Sequence, residues 1–216
     1  MRLRHRLLLA LDVPDLKRAR SVAQAVQGHV DGIKVNWPLV LSAGISIVRE
    51  LADLGYVLCD FKIADIPNTS RLIVEEAVRA RASGVICHAF AGEDSVRACV
   101  DAAGSADVFV VTELSHPGGQ DYTAKFAEEF ARLAVRVGAA GIIAPATRPD
   151  RIRALRGIVG DRLILAPGIG AQGGKASDAI AAGADAVIVG RAVYDAKDPA
   201  QAARVIANEI RSVAPK

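Results

Sequence analysis

The chain is poor in the residues that staple, stack or span. Three cysteines stand among 216 residues, Cys59, Cys87 and Cys99, an odd number at spacings that suit no metal. That excludes a disulfide framework and a zinc site, and a reducing, cytoplasmic setting is expected. Aromatic residues make up only 4% of the sequence, too few for a platform on which bases stack. Charge of one sign is not concentrated either. Twenty arginines and seven lysines face 24 acids, for a net charge of +3, and the basic residues are scattered among acids. A nucleic-acid partner would require a basic stripe; a mildly positive enzyme for a small anionic substrate fits better. No apolar run reaches the roughly 18 residues that cross a membrane. The basic start at residues 1–6 leads into Leu7-Leu8-Leu9-Ala10, but Asp12 soon interrupts the run, so no signal peptide is expected. Linkers and low-complexity tracts are missing too. What is present, 51% hydrophobic and 24% charged residues, excludes disorder and suits one globular domain over residues 1–216 with a sizeable core.

Short apolar runs alternate with longer amphipathic stretches. The runs are residues 7–11, 32–35, 57–61, 84–88, 108–112, 141–144, 163–166 and 186–189, each a candidate buried strand by length, flanks and β-branched content. Between them the spacing is helical, as in Leu72, Val74, Ala77 and Val78, or in Phe126, Phe130, Leu133 and Val137. Glycines before several runs, such as Gly141 and Gly183, suit helix ends. Strict βα alternation predicts a parallel sheet with right-handed crossovers. Eight units predict an α/β fold of the (β/α)8 (TIM) barrel type; a doubly wound open sheet is the rival and usually has fewer strands.

In such a barrel chemistry sits at the C-terminal strand ends, where this sequence gathers polar residues. Asp12 ends strand 1, Lys34 lies near the end of strand 2, and Asp60, Lys62 and then Asp65 end strand 3. Asp60 and Lys62, two apart, share a face of the strand, with Phe61 on the other. Opposite charges pointing into an apolar barrel are costly unless paired. They form either a structural ion pair or, with Asp12 and Lys34 alongside, an alternating network that favours the charged form of each member. His88 ends strand 4, and Ser115 and His116 follow strand 5; both histidines, like Trp37 and the cysteines, are expected to be structural. Pro167, Gly168 and Gly170 end strand 7, and Gly190-Arg191 ends strand 8. These glycines either serve turns or let backbone N–H groups approach a phosphate, with the Arg191 guanidinium gripping it; barrels often bind phosphate there.

The segment DFKIADIPNT at residues 60–69 resembles the DxKxxDIPNT signature of the orotidine 5′-phosphate decarboxylase family. Four further segments are similar in the same order: LALD at 9–12, IKV at 33–35, SHPG at 115–118, and APGIGAQGG at 166–174 with VGR at 189–191. The short form resembles archaeal members. The resemblance implies decarboxylation of orotidine 5′-monophosphate to UMP, the last step of pyrimidine synthesis, with no metal and no organic cofactor. It implies that Lys62 donates the proton to pyrimidine C6 and that Asp60 lies beside the substrate carboxylate. Asp12 and Lys34 would position the ribose, with Lys34 also in the catalytic charge array, and Ser115 would bond the pyrimidine edge. Gln172, on a closing loop, and Arg191 would hold phosphate, while Ile66, Pro167 and Gly190 complete the substrate contacts. A homodimer is implied in which Asp65 and Thr69 reach across the interface. Contacts from residues 175–178 stay open. Mg²⁺-dependent keto-gulonate-phosphate decarboxylases and hexulose-phosphate synthases of the same superfamily share the Asp-x-Lys-x-x-Asp core and are the alternative. The Ile66-Pro67-Asn68-Thr69 that follows Asp65 favours the nucleotide enzyme. A catalytically silent phosphate-sensing barrel would lack the Asp/Lys array, which is intact.

Overall fold

A computed structural model describes residues 1–213; the last three residues of the expected domain, 214–216, lie outside the described residues. The eight expected strands form as β1 (Leu7–Leu11), β2 (Gly32–Asn36), β3 (Tyr56–Ile63), β4 (Gly84–His88), β5 (Asp107–Val111), β6 (Gly141–Ile143), β7 (Leu163–Pro167) and β8 (Ala186–Val189). They close into a barrel in sequence order, and β8 pairs in parallel with β1. The connections carry α1 (Leu16–Val26), α2 (Trp37–Ala43), α3 (Ser46–Ala52), α4 (Pro67–Arg79), α5 (Glu93–Ala103), α6 (Thr123–Arg136), α7 (Pro149–Val159) and α8 (Ala176–Ala181). After β8 come α9 (Arg191–Tyr194) and α10 (Pro199–Val213). The fold is the (β/α)8 barrel, not the open sheet.

Parallel strands covered on both faces read as continuous apolar runs, and β1, Leu-Leu-Leu-Ala-Leu, is buried throughout. Alternation splits the apolar residues into two cores. Leu8, Ala10, Leu58, Ile86, Phe109 and Ile188 point into the barrel, while Leu7, Leu9, Leu11, Val35 and Cys59 face the helices. Leu8, Leu58 and Phe109 fill the lower interior. One layer nearer the C-terminal rim stand Ala10 and Asp60, and the smaller Ala10 leaves room for a cavity.

The segments with helical spacing form α4 and α6, and only part of each apolar stripe turns inward. In α4 Val74 and Ala77 are buried, but Leu72 is 46% exposed; in α6 Leu133 is buried, but Phe126 is 56% exposed. Alanines 127, 131 and 134 instead press α6 onto the barrel. Small residues allow close approach of helix to sheet, so the large apolar residues are displaced to the flank. Trp37 packs, as expected: its ring stacks on Phe61 at 4.6 Å, and its indole N–H donates to the Phe61 carbonyl at 3.0 Å.

Candidate active site

A cavity of about 270 Å³ opens at the C-terminal end of the barrel. Four charged side chains from three adjacent strands form an unbroken chain along its wall. Lys34 Nζ lies 3.2 Å from Asp12 Oδ1 and 3.0 Å from Asp60 Oδ2, and Lys62 Nζ lies 2.6 Å from Asp60 Oδ1. The central pair is buried, each side chain 6% exposed, whereas the outer members, Asp12 and Lys62, are about one-third open. Burial alone would lower the Lys34 pKa, but Asp60 and then Asp12 outweigh it, and the ammonium is held above its ordinary value. Burial likewise works against the Asp60 carboxylate, yet Lys34 and Lys62 hold it below the usual range. The buried central pair, Lys34 and Asp60, is therefore held in its charged forms.

Lys62 reaches this position through a break in the strand. Cys59 pairs with Val85 and Ile63 with Cys87, so four steps along β3 match two along β4. This bulge contains Asp60, Phe61 and Lys62, and Lys62 itself has φ +48°. A left-handed lysine costs on the order of 1–3 kcal/mol, and bulges re-aim side chains near active sites. Here the strain turns the ammonium onto Asp60 and toward the cavity.

The opposite wall is made by the ends of β5, β7 and β8. Gly168 has φ +107° and lies against Thr147 and Ser115, where a Cβ would come within 3.1 Å and 3.2 Å of their side chains. Gly170, at φ +69°, donates its N–H to the Gly174 carbonyl and folds the loop back. Gln172 on this loop accepts a hydrogen bond from Ser115 Oγ at 2.8 Å, joining the loops that follow β5 and β7. Arg191 lines the same wall, exposed, and among the described residues it has no salt bridge or side-chain hydrogen bond. Pro167 and Gly190 also line the cavity.

The model of the orotidine 5′-phosphate decarboxylase / HUMPS family matches residues 5–206. The chain belongs to this family. It is 53% identical over 209 residues to the orotidine 5′-phosphate decarboxylase of Methanosarcina acetivorans, covering 95% of both chains. It is 46% identical over 214 residues to that of Pyrococcus horikoshii, covering 96% of this chain and all of the relative. Among solved structures, the Methanocaldococcus jannaschii orotidine 5′-monophosphate decarboxylase complexed with the inhibitor BMP superposes with TM-score 0.91 at 40% identity, covering 94% of this chain and 97% of that one. The Pyrococcus horikoshii enzyme does so with TM-score 0.88 at 45% identity, covering 95% and 99%.

Of the residues that the decarboxylase family signature singles out, the fold brings Asp12, Lys34, Asp60, Lys62, Ser115, Pro167, Gln172, Gly190 and Arg191 to one cavity. It does not bring Asp65, Ile66 or Thr69 there. Asp65 and Ile66 are exposed on the loop after β3, and among the described residues the Asp65 carboxylate accepts only the Ile66 N–H, at 2.7 Å. His88 is buried beside Phe90 with Nδ1 unpartnered; burial and then the Lys62 charge lower its pKa to about 4. His116 lines the cavity rim.

One buried charged group, Glu113 with its partners, lies outside the residues that the sequence motifs mark. Glu113 is fully buried, with Arg148 Nε at 2.6 Å and Arg151 Nε at 2.9 Å. Arg148 also donates to the Leu114 carbonyl, and Thr147 Oγ1 donates to the Ser115 carbonyl at 2.9 Å. These bonds fix the backbone that carries Ser115. The available signal was the acid itself: a glutamate directly after a buried strand needs cationic partners.

Proposed function

We propose that the chain decarboxylates orotidine 5′-monophosphate to UMP in pyrimidine synthesis, with Lys62 as the proton donor. The observation that carries this reading is the unbroken run of ion-pair contacts from Asp12 through Lys34 and Asp60 to Lys62, whose terminal Nζ is open to the cavity. The bond from C6 to the carboxylate breaks, CO₂ leaves, and the electron pair stays in an orbital that the ring π-system does not delocalise. A fixed ammonium about 4 Å away, at an effective dielectric near 20, stabilises that charge by about 4 kcal/mol. The attraction grows as the charge develops, so it favours the transition state over the bound substrate. Lys62 Nζ then gives its proton to C6 and regains one from solvent. Asp60, with two ammonium partners already in place, needs no reorganisation to hold Lys62.

The anionic phosphate suits the wall that Arg191, without a side-chain partner among the described residues, shares with Gly168 and Gly190. Gln172, bonded to Ser115, links that wall to the pyrimidine edge. Asp12 and Lys34 face the ribose between them. Phosphate binding far from C6 can then organise the loops around the reacting atoms.

A homodimer completes the site. Asp65 is exposed, and among the described residues it has no ion-pair partner. Exposed apolar side chains stand on the connections after β2, β3 and β4: Leu41 at 78%, Ile66 at 66% and Phe90 at 59%. A second copy covering this rim would bury them and bring Asp65, Ile66 and Thr69 to the neighbouring cavity, in an isologous exchange. No helix among the described residues is long and apolar enough to cross a membrane. All three thiols are buried and free, and burial pushes Cys59 up to about 12, which suits a cytoplasmic enzyme.

The family also holds the magnesium-dependent alternative, and the donor set argues against it. The cavity carboxylates Asp12 and Asp60 are engaged by lysines, and among the described residues no three His, Cys, Asp or Glu side chains cluster as a metal-binding group. The test is the fall in absorbance on adding orotidine monophosphate in the presence of EDTA. Full turnover is expected; activity that appears only with added magnesium would overturn the reading.

A further inference from the structure

Two buried hydroxyls lie behind the loop that carries Asp65, and the chemistry above does not use them. Ser70 on α4 is 0% exposed and Ser95 on α5 is 2% exposed. Ser70 Oγ donates to the Asp65 carbonyl oxygen at 2.9 Å and lies 2.9 Å from Ser95 Oγ; Ser95 Oγ reaches the same carbonyl. Two hydroxyl protons thus serve three oxygen–oxygen contacts, so the serines act as one unit with the carbonyl as its terminal acceptor. A hydroxyl buried in an apolar helix–helix seam is costly unless bonded, and alanine would pack there without that demand. The backbone carbonyl of Asp65 is drawn into the protein while residues 64–66 stay exposed. Fixing that peptide plane fixes the direction in which the Asp65 side chain leaves the loop.

We propose that Ser70 and Ser95 are positioning residues for the partner's active site: they hold the loop after β3 at the angle that presents Asp65 across the dimer. The proposal rests on the reading of Asp65 as a residue that acts in the second subunit. It makes an unusual demand. A substitution deep within one chain damages the cavity of the other chain and spares its own.

The experiment refolds Ser95→Ala with Lys62→Ala in equal amounts and measures decarboxylation, with Asp65→Ala plus Lys62→Ala as the control pair. Ser95→Ala alone is expected to lower kcat about tenfold, the equivalent of one buried hydrogen bond, with its thermal unfolding still cooperative. In the mixed dimer the Ser95→Ala cavity keeps its own Lys62 and receives a correctly held Asp65. With half of all dimers mixed, activity per subunit rises about fivefold over the unmixed average. Ser70→Ala should behave in the same way. In an Asp65→Ala background, either serine substitution should change kcat less than twofold. If the control pair regains activity and the serine pair does not, the serines serve only their own barrel and the proposal is wrong. If the control pair regains nothing, the reading of Asp65 itself fails. Serine variants that cannot be recovered folded would assign the hydroxyls to barrel stability and also overturn the proposal.

Discussion

Replacing Asp60 with asparagine keeps the shape of the side chain and deletes the charge at the centre of the chain of four. Lys34 Nζ and Lys62 Nζ each bond one of its oxygens, at 3.0 Å and 2.6 Å. The amide can accept from one ammonium, but it turns an N–H₂ donor toward the other. Two ammonium groups about 5 Å apart then repel by about 3 kcal/mol at an effective dielectric near 20. Breaking a buried pair while one partner stays costs about 3–5 kcal/mol, so Asp60→Asn should unfold about 10 °C or more below the parent. Its kcat should fall about a thousandfold, since an unheld Lys62 forfeits about 4 kcal/mol of stabilisation at C6. Adding Lys34→Met removes the stranded buried charge and leaves Lys62, one-third exposed, to solvent. The double variant should regain half or more of the lost thermal stability and none of the lost activity. Thermal unfolding and the absorbance assay on the four proteins of this cycle decide the matter. If the two substitutions add in stability, the residues are not coupled through Asp60 and the network argument fails.

Arg191→Ala removes the unpaired guanidinium of the phosphate wall and should weaken nucleotide binding by about 1.5–3 kcal/mol, roughly 10- to 100-fold; the nucleoside without phosphate should not sense the change, and equal losses for both would make Arg191 structural. His88 has a folded pKa of about 4 against an ordinary 6.5, so the unfolded chain binds the extra proton first. Stability is full above pH 6.5 and falls by about 1.4 kcal/mol per pH unit toward pH 4, about 3 kcal/mol in all; denaturant titrations of His88→Gln should show this limb flattened, and an unchanged limb would place the proton elsewhere.

The barrel was legible because its strands are buried on both faces, so each stands out as an apolar run, and because polar residues interrupt those runs only at one end. The same rule located Asp12, Lys34, Asp60 and Lys62 without coordinates. The conformation of Lys62 was hidden. Strict alternation already places Asp60 and Lys62 on one face, and the bulge that turns Lys62 to φ +48° arises from pairing with β4, which a local pattern does not encode. The spacing of Leu72 and Phe126 showed helix, but an apolar helical stripe does not say which part of it meets the barrel and which stays exposed. The bonds from Glu113 to Arg148 and Arg151 join residues 35 and 38 positions apart, and those of Ser70 and Ser95 to Asp65 depend on how α4 and α5 meet. Such contacts exist only once the helices are packed.

The most direct test of the account is the turnover of Lys62→Ala on orotidine monophosphate, measured beside its affinity for UMP. The ammonium acts on the charge that develops at C6, and UMP carries no such charge. The account predicts that UMP binding stays within about tenfold of the parent while kcat falls by at least about a thousandfold. A variant that binds UMP normally and still turns over within tenfold of the parent would contradict it.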